Sequence, residues 1–256
     1  MDYDKLLTLS GDLGYELLMS GAEIYRVEES VRYLLEAYGV ESGEVFAIPN
    51  CIIVGFAAHG QKPLTRIRRV GGHGTDVSQL EALNALCRRL CRETPDMDEA
   101  RRLFDEVLAD QVGFSLPKQL AAYFLTTAAF CLFFGGTLAD AACSGACGVA
   151  IGLCFTFMSR LGTNIFFKTI AGGFVSALVA AVLVFCGLGV HQNLIIIGAL
   201  MALVPGLVIT NFMRDIMAGD MISGLSKLGE ALLTGAGIAL GTGLALSLTR
   251  MLGGVL

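Results

Sequence analysis

Tryptophan is absent from the 256 residues, proline occurs 5 times, and charged side chains make up only 16 % of the chain. So little charge argues against a water-exposed surface along the whole length. An acidic balance, net −5, leaves no electrostatic footprint for nucleic acid. The eight cysteines form no disulfide framework. Cys51, Cys87 and Cys91 lie in the charged part of the sequence. Cys131, Cys143, Cys147, Cys154 and Cys186 lie in apolar runs, where a thiol behaves as a small hydrophobe. The pairs Cys87/Cys91 and Cys143/Cys147 have no histidine or second pair nearby, so no metal site and no cofactor are expected. The start, MDYDKLLTLSGDLGYELL, has no basic segment ahead of an apolar core. No cleavable signal is therefore expected, and the acidic N-terminal part is placed in the cytosol.

What the chain has instead is apolar residues (54 %) and glycine (32 residues), with a mean hydropathy of +0.67. The charges are unevenly spread. Residues 1–117 hold 12 Lys+Arg and 19 Asp+Glu; residues 118–256 hold 6 and 4. The expected architecture is an α-helical membrane protein: a small cytosolic α+β domain over 1–117, then five transmembrane helices over 118–256. Successive charged or histidine positions in the second part leave apolar intervals of 19 to 22 residues. A helix needs about 20 residues to cross the hydrocarbon core. The spans are placed at 119–139, 141–159, 169–190, 192–213 and 231–249. Lys118, Arg160, Lys168, Arg214 and Lys227 then fall on the cytosolic side, while Asp140, His191 and Arg250 face out, in keeping with the positive-inside rule. The C-terminus is expected outside. Gly148/Gly152, Gly172/Ser176/Ala180 and Gly237/Gly241 form small-residue stripes that let helices approach closely in lipid.

The first part reads as helix-helix-strand-strand-helix-helix. Residues 2–19 carry apolar positions at helical spacing. Ser20 and Glu23 fit a capping box that starts a second helix at Gly21, which Gly39 ends. β-Branched residues over 44–58 and alternation over 63–70 indicate a strand pair, with Pro49-Asn50 as a turn or bulge. The GGHGT run at 71–75 lacks a phosphate-loop ending and reads as a glycine-rich turn exposing His73. Asp76 or Ser78 caps a third helix, and a fourth begins at Met97. No nucleophile–base pair stands out, so an enzyme is not expected.

The stretch from Asn193 to Asp220 is the one with chemistry in it. Pro205 removes a backbone donor and Gly206 adds freedom beside it, so the fourth span should break there. In a bilayer such a break leaves polar backbone that must be satisfied by protein or a wet cavity. Asn211, Arg214 and Asp215 follow at the inner end. A zwitterionic amino acid needs a cation for its carboxylate and an acceptor for its ammonium group, which Arg214 and Asp215 would supply. The same pair also suits any interfacial helix end. Asp220 either caps a short helix, Met221–Leu228, or carries a proton. Glu230 is another titratable candidate. Asn164, in the tight SRLGTNIFFK link, either lines the same vestibule or holds a turn.

Four segments together resemble the threonine/serine exporter family, in its YjjP-type component: SGAEIYRVEESVRYLLEAYG, GTDVSQLEALNALCRRL, SRLGTNIFFKTIAG and IIIGALMALVPGLVITNFMRDIMAGDMISGLSKLGEALL. The resemblance implies a proton-driven exporter of small amino acids, threonine and serine, in the cytoplasmic (inner) membrane. Some related two-component members are associated with small dicarboxylates instead. It further implies a partner, either a shorter membrane subunit of the YjjB type or a second copy of the chain. Carried over by position are Pro205, Gly206, Asn211, Arg214, Asp215 and Asp220, with Glu23, Arg26 and Glu28 assigned to docking or gating. A membrane-anchored regulatory or assembly subunit without its own transport site is the competing expectation.

Overall fold

The computed structural model describes residues 2–40, 42–57, 62–72, 74–110 and 113–253. It divides into two compact units: Met1–Val112 with Ile209–Leu228, and Gly113–Val208 with Gly229–Leu256. The segment 209–228 therefore belongs with the N-terminal part, across the 117/118 division expected from charge.

The first unit begins with α1 (Tyr3–Met19), whose N-cap Asp2 accepts from the Lys5 N–H, and α2 (Ile24–Ala37). The expected Ser20/Glu23 capping box does not form. Ser20 ends α1, its N–H turned back to Glu16, and Gly21 takes a left-handed φ of 86°. A Cβ at Gly21 would lie 2.6 Å from the Gly74 carbonyl, so only glycine fits this crossing. Glu23 is the N-cap of α2 by backbone position and makes no side-chain cap bond.

The expected strand pair is a three-stranded antiparallel sheet in the order β1 (Glu44–Ile48), β2 (Cys51–Phe56), β3 (Leu64–Arg69). Ile48 pairs with Cys51, so Pro49-Asn50 is a two-residue hairpin turn that divides the apolar run into two strands. Ile52, Val54 and Phe56 alternate onto the buried face. There they join Leu6, Leu13 and Leu17 of α1, Val27, Val31 and Leu34 of α2, and Leu83 and Leu90 of α3 (Val77–Glu93). Phe104 of α4 (Met97–Ala109) completes this core. Asp76 and Asp96 cap α3 and α4 through their carboxylates. His73, expected on the glycine-rich turn, lies outside the described residues.

The second unit is built from α5 (Leu116–Phe133), α6 (Leu138–Arg160), α7 (Ile165–Phe185) and α8 (Gln192–Leu200). Most of α10 (Met221–Gly253) belongs to it as well. Thr127 Oγ1 donates to the Ser144 carbonyl (2.9 Å) and Ser144 Oγ donates to that of Thr127 (3.0 Å), tying α5 to α6 where no water competes. A Cβ at Gly173 would lie 2.7 Å from the Ile238 carbonyl, which shows how closely α7 and α10 pack.

Among the described residues, four helices are long and apolar enough to cross a membrane: α5, α6, α7 and the 31 residues Met221–Met251 of α10. The span expected at 192–213 is two pieces, α8 and α9 (Gly206–Ala218), joined by non-helical residues 201–205. The interruption falls at Pro205, where the sequence placed it. The short helix expected at Met221–Leu228 does not stop there either; α10 continues through Gly229 and Glu230 for 33 residues.

Candidate functional site

Pro205 has no N–H to give the carbonyl of Met201, and helical bonding lapses around it. The Gly206 N–H donates to Val204, two residues back, at 2.8 Å. From Gly206 the chain runs as α9 to Ala218, and Gly219, at φ 98°, reverses it into α10. The Asp220 N–H donates to the Asp215 carbonyl across this turn (2.9 Å). Gly224 lets the two helices close up, since a Cβ there would sit 3.2 Å from the Phe212 carbonyl.

This helical hairpin sets Lys227 against Asp215, Nζ to Oδ2 at 2.7 Å. The Asp215 side chain is 0 % exposed and that of Lys227 8 %. The second carboxylate oxygen, Oδ1, is buried and has no hydrogen-bond partner among the described residues. A buried ion pair repays its desolvation only with near-complete hydrogen bonding, and removing one partner typically costs about 3–5 kcal/mol. With one oxygen unmatched among the described residues, this carboxylate can accept a further hydrogen bond.

Arg214 points elsewhere. Its guanidinium donates to Glu23, which also pairs with Arg26 at 2.8 Å. Glu23 is buried and the two arginines are largely exposed, so a single carboxylate answers two solvated cations. Glu28 accepts the Ala47 N–H at 2.7 Å, fastening β1 to α2. Burial pushes the Glu28 carboxyl above its ordinary value, with the charge of Asp220 acting the same way. Burial likewise raises Asp220, helped by the charge of Asp215 and opposed by Lys227.

The expected site residues therefore separate. Glu23, Arg26, Glu28, Arg214, Asp215 and Asp220 come together in the first unit, with Lys227 added. Asn211 is half-buried on α9. Pro205 and Gly206 mark the break in the second unit, and Asn164 there N-caps α7, its Oδ1 accepting from the Phe166 N–H at 3.0 Å. Arg214 and Asp215, expected to hold the two ends of a zwitterionic amino acid, are each engaged by another side chain, Glu23 and Lys227 respectively.

Asp140, expected only as the outer end of a span, is also a buried carboxylate. Asp140 Oδ1 accepts the N–H groups of Val190 (2.7 Å) and His191 (3.0 Å), while Oδ2 meets Thr137 Oγ1 (2.8 Å) and His191 Nδ1 (2.9 Å). It staples the start of α6 to the α7–α8 link. The T-x-x-D capping box at Thr137–Asp140 was its readable half.

Comparison with known proteins gives this arrangement a family. The family model described as "Putative threonine/serine exporter" (ThrE) matches residues 9–249. The "Probable threonine/serine exporter" of Mycobacterium tuberculosis is 26 % identical over 242 residues, covering 93 % of this chain and 45 % of that protein. The "Threonine/serine exporter" of Corynebacterium glutamicum is 24 % identical over 254 residues, covering 96 % of this chain and 52 % of that protein. The chain thus spans about half the length of the curated relatives it matches. No solved structure matches. With nearly the whole chain under the family model and apolar helices suited to a multi-pass membrane protein, the chain belongs to the threonine/serine exporter family.

Proposed function

We propose that this chain is a component of a secondary exporter of threonine and serine in the cytoplasmic membrane, driven by protons. It works with a second, shorter membrane subunit of the YjjB type or with a second copy of itself. The observation that carries this reading is the broken α8–α9 segment leading directly to a buried, incompletely satisfied carboxylate. Discontinuous helices next to a few charges are how many secondary transporters build their sites. In this reading α8, the break and the start of α9 together make a fifth crossing, with residues 1–112 and 209–228 cytosolic and the C-terminus outside. Asp215 is the coupling carboxylate: a proton arriving there releases Lys227, and loss of the proton restores the pair. Glu23, Arg26 and Arg214 act as the gate that α9 must leave or rejoin.

Labelled threonine efflux from vesicles under an imposed pH gradient tests this, with the chain reconstituted alone and with a second membrane subunit. Gradient-dependent efflux in either preparation supports export; none in both refutes it. The placement of Arg214 and Asp215 with residues 1–112 favours a second reading, in which the chain regulates or assembles an exporter. That reading requires Asp215→Asn to leave efflux intact.

A further inference from the structure

The second unit contains an open cleft of about 500 Å³ between one face of α5 and the helix break, bordered by Lys118, Gln119, Tyr123, Thr126 and Ala202. This volume is in the usual range for small-molecule sites. Lys118, Ala122 and Thr126 recur every four residues, so they share a face of α5. Lys118 makes no ion pair among the described residues, whereas Lys168 of α7 donates to Ser159 Oγ at 3.0 Å. Thr127 is committed to the Tyr123 and Ser144 carbonyls, both at 2.9 Å, whereas Thr126 makes no side-chain hydrogen bond among the described residues. Gln119 donates to the Phe114 carbonyl (2.8 Å), which leaves its amide oxygen as an acceptor. Ala202 lies on the non-helical turn, where Pro205 offers no N–H and the Gly206 N–H is drawn to Val204. The carbonyls of Met201 and Ala202 thereby lack the donors that a regular helix would supply four residues on.

We propose that this cleft is the binding site for a small α-amino acid. Lys118 takes the α-carboxylate, while Thr126, Gln119 and the Ala202 carbonyl of the broken turn take the ammonium and hydroxyl hydrogens. This rests on the export reading above and supplies its solute site, which the paired Arg214 and Asp215 leave unassigned. One cation in a cleft of acceptors suits a monocarboxylate that carries donors. A dicarboxylate would leave its second charge facing hydroxyl, amide and carbonyl oxygens, so the cleft selects against that class.

Equilibrium binding of labelled L-threonine to the full chain in detergent tests the assignment, with L-threoninamide and succinate as competitors. Lys118→Ala should weaken threonine binding about tenfold or more, and Lys118→Arg should recover most of it, because a charged hydrogen bond to carboxylate is at stake. Ala202→Leu, which fills the cleft without touching a charge, should weaken binding similarly. Neither competitor should displace threonine. Parent-like binding by both Lys118→Ala and Ala202→Leu, with the thermal midpoint unchanged, would overturn the proposal, as would displacement by succinate or no binding by the parent chain. Should Lys118→Ala fail to fold, the Ala202→Leu and competitor results decide alone. Binding lost in the variants, with no gradient-driven flux in the parent, keeps the cleft and removes the export reading. Flux that Ala202→Leu leaves unchanged removes the cleft and keeps export.

Discussion

Lys227→Met is the most demanding test of the buried pair. The substitution keeps the length of the side chain and removes the only hydrogen-bond donor on Asp215 Oδ2 among the described residues, in a place where the carboxylate is 0 % exposed. An unpaired buried charge of this kind costs about 3–5 kcal/mol. At about 2–4 °C per kcal/mol for a protein of this size, the thermal midpoint should fall by roughly 6–20 °C. Asp215→Asn should also destabilise the fold, by stranding an ammonium group that is only 8 % exposed. The double variant Asp215→Leu/Lys227→Met should lose less than either single change, since it removes both desolvation costs. With no tryptophan to report unfolding, the assay is reaction of a thiol-sensitive dye with buried cysteines such as Cys87, in the core of the same unit. Single variants within about 0.5 kcal/mol of the parent would refute the burial argument, because that is the range of ordinary surface substitutions.

Glu28 supplies a pH test. Burial raises its carboxyl above the ordinary value of 4.5, so the folded chain holds the proton more tightly than the unfolded one. Stability from this group is full below the unfolded value and lost as pH rises through the folded one. Glu28→Gln should therefore flatten the fall in thermal midpoint as pH rises above the ordinary value of 4.5. At the α7–α10 contact, Gly173→Leu would drive a side chain into the Ile238 carbonyl, 2.7 Å from the Cβ position, and should cost at least about 1–3 kcal/mol by overpacking. Asp140→Asn weakens the charge-assisted bonds from Val190, His191 and Thr137 and should lower stability by about 1.5–3 kcal/mol, read from the same thermal assay. By contrast, Arg214→Ala should cost no more than about 1 kcal/mol, because its guanidinium is already largely in water and Arg26 still pairs with the buried Glu23.

The parts of the fold legible in the sequence are those set by local chemistry. Gly39 ends α2 at φ 81°, Asp76 caps α3, and Pro205 breaks the helix, each through a property of that residue alone. The Ser20/Glu23 capping box was misleading because a local alternative competed with distant partners. Glu23 is drawn to Arg26 and to Arg214, 191 residues along the chain. Lys227 was visible only as a positive charge beside a span. Its pairing with Asp215 depends on the reversal at Gly219 and on α10 continuing past Gly229, neither of which spacing dictates. Asp140 and His191 looked like the outer ends of two spans for the same reason. Their bond joins residues 51 apart, and only tertiary packing brings them together.

Proton movement driven by a threonine gradient, read with a pH-sensitive dye in vesicles containing the chain alone or with an added second membrane subunit, bears most directly on the proposal that Asp215 is the coupling group. The parent should move protons opposite to threonine, and Asp215→Asn should abolish that signal. Proton movement equal in the two, or absent from a parent that still carries threonine, would contradict the assignment.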